Sequence, residues 1–378
     1  MSEENAGRER RLTDQQRHDW LRLIRSENVG PATFRQLVNQ FGSARAALTA
    51  LPELARRGGA RRIKIPSEGE IDAEMEAARR MGAHFVAVGE PEYPPLLMRA
   101  ENPPPLIAAK GRLDLLSQPA IGMVGARNAS LSGIKLAQRF ARKFGQEGYL
   151  VVSGLARGID AAAHRGSLET GTLAVLAGGL DRPYPPENHE LFREICEEGV
   201  VVTEMPFGWT ARAKDFPRRN RIVAGLSYGV LVVEAAHRSG SLISARLANE
   251  MGRLVFAIPG SPLDPRAAGA NKLLKEGAIL ATDPADVLDA VAPLAGQPLP
   301  GPERMDEPTD PSAVPPPDES DRGRVLEALG PTPVSPDEII RHTGLHPAQV
   351  QLILLELDLA GRLERHSGGT VSLIMTGD

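Results

Sequence analysis

The sequence predicts an α/β fold: a Rossmann-like, doubly wound, mostly parallel sheet, flanked by an N-terminal helical SAM-like or helix-hairpin-helix domain and a C-terminal winged helix. Three observations carry this. Short continuous apolar runs alternate with amphipathic stretches between residues 119 and 290. That is the pattern of parallel strands covered on both faces. Two helical patterns flank a Val-Gly-Pro turn near the start. Three helical patterns and a two-strand pattern close the chain.

The elements follow in order. In residues 12–64, Trp20, Leu21, Leu23 and Ile24, then Phe34, Leu37, Val38 and Phe41, recur at helical spacing on either side of Asn28-Val29-Gly30-Pro31. Such a turn either presents backbone N–H groups to a phosphate or simply joins two packed helices. The residues leave both readings open. The domain is placed at 1–65. Residues 66–118 read as a connecting segment: a helix over Ile71–Met81, a strand over His84–Val88, and an extended proline-rich run from Pro91 to Pro105.

The core, 119–290, carries strands in AIGMVG, YLVVSG, TLAVLAGG, VVVTEM, GVLVVEA, LVFAIPG and AILAT. Helices are expected over Lys135–Gly145, Ile159–Leu168, Asn188–Cys196 and Ile243–Met251. Residues 291–320 hold nine prolines and few large apolar groups, which reads as a disordered acidic linker. Residues 321–378 read as the winged helix: helices Arg322–Leu329, Ser335–His342 and Pro347–Ala360, with a hairpin of Arg362–Arg365 and Thr370–Ile374. Its third helix, PAQVQLILLELDLA, has no Arg or Lys and carries Glu356 and Asp358. A helix that reads DNA needs donors for phosphates and base edges, so a protein-contact or regulatory role is favoured.

Composition narrows the class. The chain has 378 residues, 42% hydrophobic and 24% charged, as ordinary globular proteins do. No run is long enough to span a bilayer, and the polar N-terminus lacks a signal-peptide core. A cytoplasmic location without membrane association is expected. A single cysteine, Cys196, excludes an internal disulfide and a Cys-based zinc site. It reads as a small core residue. Net charge is −4, but residues 283–321 alone carry −9, so the remainder is +5. Residues 207–221 carry +4 and residues 1–64 carry +6. Local potential, not net charge, attracts a polyanion.

Four segments are expected at the carboxyl edge of the sheet, where doubly wound folds bind ligands. The first is Val124-Gly125-Ala126-Arg127-Asn128. The second, Ser153 to Asp160, offers glycines, among them Gly154, and a helix N-terminus that favours an anion. The third, Lys214 to Arg221, is read as a loop in which Arg218, Arg219 and Arg221 crowd round Asn220, with Phe216 beside them. Guanidinium forks suit phosphate oxygens, and an aromatic face accepts a base. The fourth is His237-Arg238-Ser239-Gly240-Ser241. Neither GxGxxG nor GxxxxGK[ST] occurs, so dinucleotide and P-loop triphosphate binding are rejected. No acidic cluster suggests a metal. Asp160 and His164 share a helix face at i and i+4; a structural hydrogen bond is preferred to an acid–base pair. Glu234, ending a strand, is expected to orient the arginines, with Arg221 bracing the loop against it. Arg218 and Arg219 are the expected contacts, Arg219 first.

Read in order, these segments resemble the DprA/Smf family, the DNA-processing proteins of bacterial natural transformation. The carrying motifs are YPPLL (93–97), VGARNAS (124–130), SGLARGIDAAAH (153–164), LAGGLDRPYPPEN (176–188), FPRRNRIVAGLS (216–227), VVEAAHRSGSLISARLA (232–248), VFAIPGSP (255–262) and GANKLLKEGA (269–278). The resemblance implies a non-catalytic single-stranded DNA-binding protein. Such a protein protects incoming strands, displaces single-strand-binding protein, loads RecA, and dimerises through its Rossmann-like domain. It implies no cofactor. It also implies that Arg127 and the FPRRNR cluster line the DNA pocket, and that the backbone at Ser153, Gly154, Ser239, Gly240 and Ser241 holds phosphates. Ser244 stands where the family more often has threonine. The alternative is a nucleotide or nucleoside-phosphate hydrolase of the LOG-like Rossmann type. The counterpart of that group's catalytic loop, HRSGSLISA, lacks its glutamate.

Overall fold

A computed structural model describes residues 11–297 and 315–374. The described residues divide into two compact units, one spanning residues 74–297 and the other joining residues 12–73 to 315–374. In sequence, therefore, the sheet-bearing unit lies between two halves of the second.

The second unit begins with three helices, α1 (Asp14–Ile24), α2 (Pro31–Phe41) and α3 (Ala44–Arg57). Each start has a local cause. Thr13 and Gln16 form a reciprocal capping box, Pro31 opens α2, and the Ser43 side chain accepts from the Ala46 N–H. The third helix was not expected; its buried residues Ala44, Ala47, Leu51, Leu54 and Ala55 include three alanines, so its apolar stripe is faint. Helix α4 (Glu68–Met81) crosses into the sheet-bearing unit.

That unit contains β1 (His84–Ala87), α5 (Pro95–Met98), β2 (Leu106–Gly111), β3 (Ala120–Val124), α6 (Leu131–Gln146), β4 (Leu150–Ser153), α7 (Ile159–Ser167), β5 (Thr172–Val175), α8 (His189–Glu198), β6 (Val200–Thr203), α9 (Asp215–Leu226), β7 (Gly229–Val232), α10 (Ser241–Glu250), β8 (Leu254–Ala257), α11 (Ala268–Lys275), β9 (Ile279–Leu280) and α12 (Pro284–Ala295). Among the described residues the sheet has nine strands in the order β1-β2-β6-β5-β4-β3-β7-β8-β9. Strands β3 to β9 pair in parallel, and β1 and β2 add an antiparallel edge beside β6. The chain winds outward from β3 through β4, β5 and β6, then returns to β7 and winds the other way. The order thus reverses between β3 and β7, the crevice where such sheets bind ligands.

Strands β3 to β7 are buried throughout, which is why they read as unbroken apolar runs. Side chains of alternating direction feed two apolar layers, one containing Val124, Val152, Val175 and Val232, the other Ile121, Val151, Leu231 and Phe256.

Four readings of this region change. Strand β2 was missed, because LIAAKG is short and follows the proline run. The segment 66–118 is not merely a connector, since β1 and β2 extend the sheet. The run read as extended contains the short helix α5. FPRRNR is not a loop: it lies within α9, a twelve-residue helix that begins at Asp215, whose carboxylate accepts from the Arg212 N–H and from the Trp209 indole.

The second unit closes with α13 (Glu319–Ala328), α14 (Pro336–Thr343), α15 (Pro347–Leu359), β10 (Leu363–Arg365) and β11 (Val371–Leu373), the last two pairing antiparallel. Three helices and a two-stranded wing make the expected winged helix. Helix α12 runs five residues into the segment read as linker, capped at its start by an Asp283–Asp286 box. Most of that segment, 298–314, lies outside the described residues.

Candidate nucleic-acid interface

At the carboxyl ends of β3 and β7 lies a cleft of about 660 Å³. The first wall is the loop after β3. Gly125 and Gly158 let two strand–helix turns interlock: a Cβ on Gly125 would lie 2.6 Å from Ile159, and one on Gly158, where φ is +76°, 2.2 Å from the Ala126 carbonyl. No larger residue fits either position. Ser130 caps α6 by accepting from the Gly133 N–H. Its own N–H and hydroxyl donate to Glu234 at 2.9 and 2.5 Å. Glu234, expected to orient the arginines, instead accepts from Ser130. It clamps the loop that carries Arg127.

Arg127 extends over the Phe216 ring, its guanidinium carbon 5.1 Å from the centroid. Tyr184 meets the same ring edge-on at 5.8 Å and is half exposed. A cation and two aromatic faces thus stand together at the cleft. The opposite wall is the turn into α10. Ser239, Gly240 and Ser241 line it, the Ser239 and Ser241 hydroxyls lie 2.6 Å apart, and no side chain caps the helix start. Asn220 reaches across to the Gly240 carbonyl.

The three arginines of α9 part company. Helical geometry puts Arg218 and Arg221 on one face, three residues apart, and turns Arg219 away from them. Arg218 Nε donates to Glu204 at 2.9 Å, and Arg221 pairs with the same carboxylate and with the Asn102 carbonyl. Neither lines the cleft. Arg221 is thus braced by Glu204 and not by Glu234. Arg219 does line the cleft, but it is only 5% exposed. Its Nη1 donates to the Val175 carbonyl at 2.8 Å. Burial lowers its pKa, with nearby Asp160 opposing that and Arg127 adding to it.

Asp160 forms the acidic part of the floor. It accepts from the Gly154 and Ala156 N–H groups, and burial raises its pKa against the pull of Arg219. Among the described residues, the Arg219 Nε and the buried Ser244 hydroxyl at this cleft have no hydrogen-bond partner. Four arginines line the space (Arg127, Arg219, Arg238 and Arg266) against one carboxylate, Asp160, among the described residues. The balance favours an anion.

The structure gathers seven of the expected residues at this cleft: Arg127, Phe216, Arg219, Asn220, Ser239, Gly240 and Ser241. Five lie elsewhere. Ser153 is fully buried, with its hydroxyl donating to the Met123 carbonyl. The Gly154 N–H is taken by Asp160, Lys214 is exposed at the start of α9, and Arg218 and Arg221 face Glu204. Arg238 and Arg266 were missed as candidates. Arg238 sat inside a quoted loop, whereas Arg266 belongs to no motif and pairs with Asp264 at 2.8 Å.

Nothing at the floor resembles an acid–base pair. His164 is fully buried, with Nδ1 lying 2.8 Å from the Thr172 hydroxyl, and burial together with Arg219 pushes its pKa down to about 3. Cys196 is partly buried on α8, and burial raises its thiol to about 11. Among the described residues, no group of three His, Cys, Asp or Glu side chains gathers as metal ligands, and no helix is long and apolar enough to cross a membrane.

Comparison with known proteins agrees with this architecture. Residues 84–292 match the family described as DNA recombination-mediator protein A. Residues 14–77 match the DprA-like N-terminal HHH domain, and 308–369 the DprA winged helix domain. The chain is 33% identical to Protein Smf of Synechocystis sp., over 92% of this chain and 96% of that one. It is 45% identical to the DNA processing protein DprA of Streptococcus pneumoniae, over 52% and 70%. The X-ray structure of DprA from S. pneumoniae superposes with a TM-score of 0.59 at 32% identity, covering 74% of this chain and 98% of that one. DNA processing protein A from Helicobacter pylori, described with a single-stranded DNA binding mode, gives a TM-score of 0.52 at 26% identity, covering 56% and 96%. The sheet order, the two flanking modules and these matches together show that the chain belongs to the DprA/Smf family.

Proposed function

We propose that the chain binds single-stranded DNA in the cleft between β3 and β7, as a cytoplasmic, non-catalytic mediator that protects incoming strands and loads RecA in place of single-strand-binding protein. The observation that carries this is the grouping of Arg127, Phe216 and Tyr184 at the mouth of a cleft lined by three further arginines. Guanidinium groups neutralise phosphates, and aromatic faces stack bases without regard to sequence. Relatives named for DNA processing, one of them described with single-stranded DNA, support the same reading. Dimerisation through this unit is part of the proposal. The terminal strand β9 leaves Leu280 52% exposed at the sheet edge.

The test is fluorescence anisotropy with labelled oligo-dT across a salt series. Affinity is expected to fall steeply as salt rises, and to be indifferent to base composition. An affinity that ignored salt would remove the phosphate contacts from the reading. RecA filament assembly on strands precoated with single-strand-binding protein tests the loading step.

A further inference from the structure

The third helix of the winged helix, α15, is apolar on two faces. One stripe, with Val350, Ile353, Leu354 and Leu357, builds the winged helix's own core with Val325 and Ile339. A second stripe, Leu355 and Leu359 with Leu352 beside them, joins a different core, made of Val29, Phe34, Leu37 and Leu51 from the N-terminal helices. The spacing 352, 355, 359 is one helical stripe, separate from the first.

Polar contacts follow the same seam. Thr33 donates to Asp358 at 2.7 Å, and Arg365 donates both to Asp358 and to Gln36, each at 2.9 Å. The Asn28 side chain, in the Val-Gly-Pro turn, donates to the Leu359 carbonyl at 3.0 Å. Gly58 marks the closest approach: a Cβ there would lie 1.9 Å from the Glu356 carbonyl oxygen. The Glu356 carboxylate is buried and held by Arg322 through two hydrogen bonds of 2.8 and 2.9 Å.

We propose that the winged helix is a protein-binding module whose ligand is the N-terminal hairpin of its own chain, docked through α15, and that this contact closes α15 to nucleic acid. A helix that reads a groove keeps an exposed face of donors. Here that face is covered by apolar packing, and α15 has no Lys or Arg to offer. The two chain ends form one cooperative unit, so loosening either side loosens the other.

Hydrogen–deuterium exchange on the full chain tests this with two variants. Gly58→Ala adds one methyl where φ is −69°, a conformation alanine accepts, so its only cost is at the seam. Leu355→Asp places a charge in the shared core and spares the winged helix's own stripe. In Gly58→Ala, amides of α15, some 300 residues away in sequence, are expected to exchange at least about tenfold faster. In Leu355→Asp, amides of α1 to α3 are expected to do the same. Oligo-dT affinity at the cleft should not change in Gly58→Ala. Added duplex DNA should leave exchange at α15 of the unmodified chain unaltered. Exchange that quickened only on the mutated side in both variants would overturn the proposal, as would duplex-dependent protection of α15.

Discussion

The guanidinium of Arg219 fills the space that a side chain at Gly154 would need: a Cβ there would lie 1.6 Å from Nη1 and 2.2 Å from the guanidinium carbon. The glycine of the second sheet-edge loop therefore serves the arginine rather than a phosphate. Gly154→Ala is expected to expel Arg219 from its bond with Val175 and to leave Asp160 without its nearest compensating charge. The cost is expected to be about 3 kcal/mol, typical of breaking a buried charged network. Urea unfolding checks it, and Arg219→Ala should lose a similar amount.

Arg127 and Arg218 should behave differently although both come from the basic motifs. Arg127 faces the cleft over Phe216, whereas Arg218 is held by Glu204. Arg127→Ala is expected to weaken oligo-dT binding by about 1–3 kcal/mol, as loss of a charge-assisted contact does. It should also lower the slope of log K against log salt by about 0.7, one phosphate's share on a single strand. Arg218→Ala should change neither by much. Anisotropy titrations at several salt concentrations distinguish the two.

Phe216 carries no charge, so its loss should have another signature. Phe216→Leu removes the ring between Arg127 and Tyr184. Binding is expected to weaken by about 1–2 kcal/mol, the range for a lost stacking partner, with the salt slope unchanged. A change in slope equal to that of Arg127→Ala would mean that the ring acts only by positioning the arginine.

His164 ties stability to pH. Its folded-state pKa lies at about 3 against an ordinary value of 6.5, so the unfolded chain binds a proton more readily. Its contribution is complete above pH 6.5 and declines as pH falls from there toward 3. For one proton the slope approaches about 1.4 kcal/mol per pH unit within that window. Denaturation at pH 7 and pH 5 should show a smaller difference for His164→Gln than for the unmodified protein. An equal difference would show that His164 does not titrate on unfolding in this range.

Much of the fold is legible in the residues because its causes are local. Buried parallel strands must be apolar on both faces, so β3 to β8 announce themselves as runs. Serine, threonine and aspartate caps mark helix starts at Thr13, Ser130, Asp283 and Ser335. Strand β2 and helix α3 escaped because one is short and the other is built largely on alanine. The cleft was half legible. Arg127, Phe216 and the Ser239–Ser241 turn sit beside glycines that mark close backbone approach. Arg266 sits beside no such marker.

By itself the sequence determined the family, the parallel strands β3 to β9 of the sheet, and the sheet edge at which arginines and glycine turns collect. The family follows from the resemblance of its ordered motifs, and the strands and sheet edge follow from apolar runs and glycine turns, which depend on near neighbours along the chain. Only the tertiary structure decided which arginine faces what. Once FPRRNR is a helix, its 100° steps send Arg219 to the buried floor and Arg218 and Arg221 to Glu204. Only the tertiary structure, too, brings Leu355 and Leu359 onto the core of the N-terminal hairpin. Those partners lie some 300 residues apart, and no local pattern records which of two apolar stripes on one helix meets which surface.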